Sequence, residues 1–132
     1  MHFARQEDIA LLFMSELGRH YTKRYVSLSE VSSEHGVSLL FLKKIARMLR
    51  KAKLVHSKEG SGGGYILARA PHEINVWEIV RSVDEHIRKR ATLGRPEHCP
   101  LNAKCLPQHI DITLGRVLQE SFQHVTLDRF TA

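Results

Sequence analysis

The chain has 132 residues, of which 42% are hydrophobic and 26% charged, and its formal net charge at pH 7 is +6. This length suits one ordinary domain, or a small domain with an appendage, and the positive charge favours a polyanionic partner. No apolar run approaches the ~20 residues of a membrane span and no signal peptide opens the chain, so we expect a cytoplasmic protein without a membrane partner.

The first predicted element is a helix over residues 4–18. Its apolar residues are Ile9, Leu11, Leu12, Phe13 and Met14. A helix that is apolar over more than half of its girth needs burial on two sides, against its own core and against a partner chain. We expect Gly18 to end this helix.

A short second helix is predicted over residues 28–35. Ser27 and Glu30 have the spacing of a capping box, in which each side chain accepts a hydrogen bond from the other residue's backbone amide. Gly36 follows and permits a sharp turn. In the connector before this helix, Lys23 and Arg24 are expected to be available to phosphate groups.

The third predicted helix, residues 38–53, carries six basic residues and no acidic one. Ser38 is placed to cap its start. An apolar stripe at helical spacing comprises Leu42, Ile45, Ala46 and Leu49. The basic residues are Lys43, Lys44, Arg47, Arg50, Lys51 and Lys53. Taken alone, this pattern fits either a solvated surface helix or a helix that lies against a polyanion.

Two short strands are predicted after this helix, over residues 54–58 and 65–68, with a glycine-rich turn at 59–64 between them. A phosphate-binding loop of a nucleotide enzyme would need Lys-Ser/Thr and a helix after the glycines, whereas Tyr65 and a strand follow here. Short helix, glycine turn, basic helix and hairpin together predict a winged helix-turn-helix.

The C-terminal part begins with a second capping box, Asn75 and Glu78, which predicts a helix from Val76 to about Arg88. Residues 89–109 hold three prolines and both cysteines and are expected to form a functional loop. A last helix is predicted from about Asp111 to Val125. Its apolar residues are Ile110, Leu114, Val117, Leu118, Phe122 and Val125.

The apolar stripe of this last helix suggests that it packs against a second chain. We therefore expect a mainly α fold with a small β-hairpin: a winged helix-turn-helix domain at 1–88, a cysteine-bearing sensor loop at 89–109, and a dimerisation helix with its tail at 110–132. No arrangement of nucleophile and base, or of paired carboxylates, is visible in the spacing, so we expect no enzyme.

These blocks resemble the IscR/NsrR/CymR family of bacterial winged-helix regulators over essentially the whole chain. The matching segments are residues 38–42, 49–55, 60–68, 74–76 and 83–85. The most specific among them is the glycine-rich wing followed by Tyr-x-Leu-Ala. The resemblance implies a homodimer that binds a near-palindromic DNA operator, with recognition helices in adjacent major grooves and wings in the flanking minor grooves.

The resemblance also implies a set of DNA-binding positions. These are Ser38, Leu40, Phe41, Lys43, Lys44, Arg47, Lys58, Ser61 and Gly62. Leu40 and Phe41 are expected at thymine methyl groups, and Lys43 or Lys44 at guanine edges or at phosphates. Many family members carry an arginine before the first wing glycine, where this chain has Glu59; either Lys58 substitutes or the wing binds more weakly.

Sensors of this family hold an iron–sulfur cluster through three loop cysteines and one ligand from elsewhere. Cys99 and Cys105 match the second and third cysteines, and the first is absent. Asp8 matches an acidic ligand that one type of member supplies from the partner subunit, and His109 or His98 would complete the set. A [2Fe-2S] cluster is the favoured expectation. Thiol redox sensing by the two cysteines, and loss of the cofactor, are the alternatives.

The sequence thus predicts a dimeric, sequence-specific transcriptional regulator that senses redox, iron–sulfur or nitric oxide status through the Cys99/Cys105 loop. The alternative from a different class is a winged-helix scaffold for protein interactions that has lost DNA binding or its cofactor, a reading that Glu59 favours.

Overall fold

The structure is a computed structural model that describes residues 5–85 and 106–131. The helices are α1 (Arg5–Arg19), α2 (Leu28–His35), α3 (Leu39–Lys51), α4 (Val76–Val83) and α5 (Leu106–Gln123), the strands are β1 (Val55–Lys58) and β2 (Gly64–Leu67), and the 3-10 helices are Pro71–Glu73 and Leu127–Phe130. The predicted fold class, mainly α with a small hairpin in a winged helix-turn-helix, is confirmed. Within the described ranges, no helix is both long and apolar enough to cross a membrane.

The core lies where α1 packs against α3 and α4. The predicted stripe of α3 is confirmed, because all of its members are completely buried. On α1, Phe13 and Met14 are completely buried, whereas Leu11 and Leu12 are half-buried. On α4, Trp77 is buried together with four aliphatic side chains, Val76, Ile79, Val80 and Val83. A single apolar core therefore fixes the angle at which α3 is held.

The hairpin is antiparallel, with Val55 opposite Leu67 and Lys58 opposite Gly64. It is also joined to the segment before α2. The Tyr65 amide donates to the Val26 carbonyl (2.8 Å), and the Val26 amide donates to the Tyr65 carbonyl (2.9 Å). This extra bridge joins the wing directly to the helix-turn-helix.

Gly18 does not end α1, contrary to the prediction, because the helix continues to Arg19. A Cβ atom on Gly18 would lie 2.3 Å from Cγ2 of Thr131. The glycine is therefore needed for the close approach of the C-terminal segment to α1, not for a left-handed cap.

The bounds of the last two long helices also differ from prediction. α4 ends at Val83, five residues before the predicted Arg88, because Asp84 adopts an extended backbone (φ −98°, ψ 107°). α5 begins at Leu106 rather than near Asp111. Pro107 is tolerated there because the amides of the first helical turn need no partner within the helix.

The C-terminal segment returns to the start of α4. The Val76 amide donates to the Val125 carbonyl, and the Leu127 amide donates to the Ile74 carbonyl, both at 2.8 Å. Leu127 is completely buried in the main core. The residues that follow α5 are thus part of the winged-helix core.

Candidate DNA-binding surface and sensor region

The turn that leads into α3 is closed by hydrogen bonds on both sides. α2 ends at Gly36, which has a left-handed backbone (φ 64°). The Ser32 hydroxyl donates to the Val37 carbonyl (2.6 Å), and the Phe41 amide donates to the Ser38 hydroxyl (3.3 Å). The predicted cap at Ser38 is confirmed, and the start of α3 is held in a defined direction.

α3 presents an exposed face that is positive along its length. Its exposed cations are Lys43, Lys44, Arg47, Arg50 and Lys51. At the start of the helix the Leu40 side chain is 79% exposed, and Phe41 beside it is half-buried. The structure therefore brings the predicted α3 positions together on the first turns of one helix, with an apolar tip beside the cations.

Lys44 has a second contact that spacing alone does not reveal. In the orientation of the Gln6 amide that satisfies both neighbours, its nitrogen donates to the Val83 carbonyl (2.8 Å) and its oxygen accepts from Lys44 Nζ (3.2 Å). Lys44 is thereby tethered to α1 and to the end of α4. It supports the position of α3 in addition to contributing charge.

The C-terminal end of α3 forms a Schellman motif. The Lys53 amide donates to the Arg50 carbonyl and the Leu54 amide donates to the Leu49 carbonyl, both at 3.0 Å. Lys53 occupies the left-handed position of the motif (φ 62°), which most proteins give to glycine. A lysine there adds positive charge beside the helix C-terminus at a cost in backbone strain.

The wing requires its glycines for close backbone packing. A Cβ atom on Gly63 would lie 2.2 Å from the Lys58 carbonyl oxygen, and one on Gly64 would lie 2.3 Å from the Val26 carbonyl oxygen. The predicted contact residues Ser61 and Gly62 are exposed at the tip. The glycines therefore serve the tight turn and the join to Val26 as well as an accessible tip.

The charges on the wing are mixed. Lys58 and Glu59 are both exposed. Lys58 Nζ lies 5.7 Å from the centre of the Tyr25 ring, which is within range of a cation–π contact. Lys58 is thus held beside Tyr25 at the end of β1, while Glu59 places a negative charge next to the tip.

Arg24 is not the free cation that the sequence predicts. Its guanidinium donates two hydrogen bonds to the Glu30 carboxylate, at 2.6 and 3.0 Å, and this pair holds the pKa of Glu30 below its usual range. The capping box of α2 is therefore only half formed. The Glu30 amide donates to the Ser27 hydroxyl (3.1 Å) as predicted, whereas the Glu30 carboxylate turns to Arg24. Lys23 is exposed.

A groove of about 650 Å³ lies between the C-terminal half of α3 and α4, at the border of the positive face. Arg47, Lys51 and Arg81 contribute cations to its walls, and Glu78 and Glu85 contribute acids. The continuous positive charge of α3 therefore ends at this groove, where both signs alternate.

Among the predicted sensor residues, Asp8 is the one whose side chain lies within the described part of the chain. Asp8 is exposed on the first turns of α1. Cys99, Cys105 and His98 lie outside the described residues, and His109 lies in α5 but its side chain is outside them too.

Beside Asp8, the carboxyl group of Glu7 is buried where α1 meets the end of α4. Glu7 is 3% exposed, and its Oε2 atom has no hydrogen-bond partner among the described residues. Burial, then a hydrogen bond and charge repulsion from Asp84, raise the pKa of Glu7 from 4.5 to about 7. The first helix therefore meets the end of α4 at two neighbouring carboxyl groups, Glu7 and Asp84, a contact that sequence spacing does not reveal.

α5 presents an apolar surface to solvent. Leu114 and Val117 are each 52% exposed, and Ile110 is 48% exposed. Leu118, Phe122 and Val125 from the same predicted stripe are half-buried. The stripe is thus split between a part sheltered by the chain's own fold and an exposed part.

Comparison with known proteins gives one consistent family. The family model for Rrf2, described as an iron-dependent transcriptional regulator, matches residues 3–132. The chain is 32% identical over 128 residues to the HTH-type transcriptional regulator IscR of Pectobacterium carotovorum, covering 97% of this chain and 77% of that protein. It is 33% identical over 127 residues to IscR of Sodalis glossinidius, covering 96% and 76%.

Solved structures agree on the fold. The structure of CymR (YrzC), the global cysteine regulator of B. subtilis, has a TM-score of 0.74 and 22% identity over 99% of this chain and 96% of that one, and at this identity it shows the fold alone. T. potens IscR has a TM-score of 0.72 and 26% identity, covering 97% and 84%.

These relatives are transcriptional regulators, which confirms the expectation that the chain is not an enzyme. The capped basic helix, the glycine-rich wing and a family match from end to end lead to the same conclusion. The chain belongs to the Rrf2 family of winged-helix, DNA-binding transcriptional regulators.

Proposed function

We propose that the chain works as a homodimer that binds a near-palindromic DNA operator through α3. The observation that carries this proposal is the exposed face of α3, which has five exposed cations and no acid on the helix. The apolar stripe of α3 is buried in the chain's own core, so the positive face is exposed to solvent and can bind a polyanion. In a two-fold symmetric dimer, two such faces meet half-sites about one helical turn of DNA apart.

Base selection would fall to the start of α3. Leu40 is the most exposed large apolar side chain in the described chain, and it precedes Lys43 by one turn. An apolar side chain at the tip of a recognition helix suits the methyl group of thymine, while Lys43 suits a guanine edge or a phosphate. Arg47, one turn further on, would contact the backbone of the duplex. We therefore expect half-sites that include a thymine next to a guanine.

The wing would contribute less than α3. Lys58, Ser61 and Gly62 are exposed and suited to phosphate contacts, but Glu59 is repelled by the negative potential of a minor groove. Most of the binding free energy would therefore come from the two α3 helices, so the dimer matters more here than in a protein with an arginine in the wing.

Dimerisation would use the exposed face of α5. The exposure of Ile110, Leu114 and Val117 leaves three neighbouring apolar side chains in water, which a second copy of the helix would cover. A self-complementary contact of this kind has the two-fold symmetry that a near-palindromic operator needs. It also supports a division of the chain into a DNA-binding part at 1–88, a sensor segment at 89–109 and a dimerisation helix with its tail at 110–132, except that Leu127 of the tail is buried in the main core.

The sensor would be the segment with Cys99 and Cys105. The chain has two cysteines, so four thiolates from one subunit are excluded, but two thiolates with an imidazole and a carboxylate form a plausible donor set for a [2Fe-2S] cluster. Cys99, Cys105, His109 (or His98) and Asp8 of the partner subunit would hold it. The exposed position of Asp8 leaves its carboxylate accessible to another subunit, which fits this arrangement. When bound, the cluster would supply redox and nitric oxide chemistry.

A salt titration of DNA binding tests the first part of the proposal. A labelled random-sequence duplex is titrated with protein by fluorescence anisotropy at several salt concentrations, and operators are then selected from the same pool. We expect log affinity to fall with log salt by roughly 0.9 per neutralised phosphate. Failure to bind any duplex at low salt would contradict the proposal and favour the protein-interaction scaffold.

The optical spectrum of protein purified without oxygen, with iron and sulfide analysis, tests the sensor. A cluster gives visible absorption that Cys99→Ser abolishes. A colourless, iron-free protein that cannot be reconstituted would contradict the cluster. In that case, an oxidant response that Cys99→Ser removes would support thiol sensing, and an unchanged response would leave a regulator without either chemistry.

A further inference from the structure

Three potential metal ligands converge where α1 meets α2, on residues for which DNA binding and cysteine sensing give no role. The ligand atoms of Glu16, Glu34 and His35 all lie within 4.8 Å of one another. Glu16 comes from the interior side of α1 and is only 4% exposed. Glu34 and His35 come from the last turn of α2, immediately before Gly36. Two distinct elements therefore bring a buried carboxylate, an exposed carboxylate and an imidazole to one point.

The imidazole of His35 faces the buried carboxylate without a well-formed hydrogen bond. His35 Nε2 lies 3.2 Å from Glu16 Oε1, yet this buried nitrogen makes no hydrogen bond that meets normal geometry within the described residues. In a tetrahedral zinc site with bonds of about 2.0–2.2 Å, adjacent ligand atoms lie about 3.3–3.6 Å apart. The observed separation is close to one edge of such a tetrahedron.

Arg19 is the group that a cation would have to compete with. Its guanidinium donates to Glu16 Oε1 at 2.6 Å, and it is the cation nearest to the cluster in the described interactions. The Arg19 side chain is 47% exposed, so it can turn to water when another cation takes the Glu16 carboxylate. The Glu16 end of this ion pair is buried, with its side chain 6% exposed, so the incoming cation must replace the positive charge that Arg19 supplies to the carboxylate.

We propose that Glu16, Glu34 and His35 bind one divalent transition-metal ion, of which Zn²⁺ is the best fit, with water as a further ligand. The mixed nitrogen and oxygen donors favour Zn²⁺ over Mg²⁺ or Ca²⁺, which take oxygen ligands alone. Two carboxylates balance the charge of the ion, and the imidazole binds in its neutral form. Binding ties the last turn of α2 to α1 and so strengthens the support of the turn that leads into α3.

This site is independent of the proposed cysteine sensor, and its test is made in a Cys99→Ser/Cys105→Ser background so that thiolates do not bind the ion. Metal-free protein is titrated with Zn²⁺ in competition with a chromophoric chelator. We expect one Zn²⁺ per chain in the parent protein. His35→Ala and Glu34→Gln should each weaken the affinity by roughly tenfold or more. The matched control is His72→Ala, which removes an exposed imidazole from the 3-10 helix Pro71–Glu73 and should leave the affinity unchanged.

Thermal unfolding gives a second measurement. Zn²⁺ at about a hundredfold excess over the Kd of the parent should raise the Tm of the parent and of the His72 variant by on the order of 10 °C, and it should raise the Tm of the His35 variant by about half as much or less. If His35→Ala fails to fold, Glu34→Gln decides the question, because Glu34 is exposed and its loss leaves the core intact. A parent that binds no Zn²⁺, or variants that bind it as tightly as the parent, would show that the three side chains form an ion-pair cluster only and would overturn the proposal.

Discussion

α3 and α5 are both amphipathic helices of the same chain, yet they leave opposite kinds of surface to solvent. α3 buries its whole apolar stripe and exposes a row of cations without an acid. α5 shelters only part of its apolar stripe, and Ile110, Leu114 and Val117 remain exposed. The apolar stripe of α3 is therefore fully covered by the chain's own core, whereas the apolar stripe of α5 is covered only in part.

The difference indicates what each helix needs from outside the chain. A buried stripe with exposed cations needs a partner that supplies negative charge, whereas an exposed apolar stripe needs a partner that excludes water. Charge governs the first contact and area governs the second. Salt should therefore weaken the contact at α3 and leave the contact at α5 almost unchanged.

The largest effect is expected from Leu114→Glu on α5. A buried charge in the proposed dimer contact should yield a monomer, measured as a halved mass by light scattering. Operator affinity should fall by roughly 100-fold or more, because two linked half-site contacts become two separate ones. Arg116→Glu is the matched control, since two residues along a helix place the same new carboxylate on another side. An unchanged mass for Leu114→Glu would remove α5 from the dimer contact.

Glu7→Gln should change the stability of the fold without changing the exposed surface of α3 or of α5, because the Glu7 side chain of α1 is buried against the end of α4. The folded pKa of about 7 lies above the ordinary value of 4.5, so the folded state holds the proton more tightly. The stability that this gives is fully present below pH 4.5 and is lost as pH rises through 7. Glutamine avoids that loss. The variant should therefore gain on the wild type between pH 5 and pH 8, by up to about 3 kcal/mol in urea unfolding.

The control for this pH dependence is Glu59→Gln, which removes a carboxylate that is exposed on the wing. Its unfolding free energy should follow that of the wild type at all pH values within about 0.5 kcal/mol. Parallel pH profiles for Glu7→Gln and the wild type would show that Glu7 ionises normally in the folded protein. In neither variant should the light-scattering mass change.

Lys43→Ala tests the charged surface of α3. Operator affinity should fall by about tenfold, and the slope of log affinity against log salt should become shallower by about 0.9 for each phosphate contact that is lost. Arg116→Ala on α5 removes one charge elsewhere and should leave the slope unchanged. Equal slopes for Lys43→Ala and the wild type would place Lys43 away from the duplex.

Lys44→Ala should lower the Tm as well as the operator affinity, because it breaks the contact with Gln6.

The smallest effect is expected at the end of α3. Lys53→Gly should raise the free energy of unfolding by about 0.5–1 kcal/mol, because glycine adopts the left-handed backbone at this position without strain. Lys51→Gly, two residues earlier and within the helix, should lower it by a similar amount. Both variants lose one positive charge. An equal decrease in DNA affinity for the two variants would therefore come from the lost charge and not from the change in stability. Destabilisation by Lys53→Gly would contradict this account.

The features that were predicted correctly depend on neighbours in the sequence. The stripe of α3, the cap at Ser38 and the turn at Gly36 follow from spacing over a few residues. The features that were missed depend on distant partners. Local spacing predicts a helix end at Gly18, whereas the glycine is required by its neighbour in space, Thr131, which is more than a hundred residues away in the chain.

Charged residues show the same limit on a shorter scale. The Glu30 carboxylate has two possible partners, the backbone amide of Ser27 and the guanidinium of Arg24. Sequence spacing does not show that the bidentate ion pair with Arg24 is stronger than the capping hydrogen bond. The buried position of Glu7 was likewise invisible, because it depends on where α4 ends. The ligand roles of Cys99 and Cys105 remain predictions from a resemblance, since the residues that surround them lie outside the described ranges.

The hydrogen bond between Val76 and Val125 has a consequence for how this fold changes over evolution. Hydrogen bonds at Val76 and Ile74 join the start of α4 to the residues that follow α5, and Leu127 is buried in the same core as the apolar stripe of α3. Changes in the length or composition of the sequence between α4 and α5 need not disturb the backbone that positions α3, because closing a longer loop costs little. The same DNA-binding domain can in this way be combined with sensor segments of different chemistry.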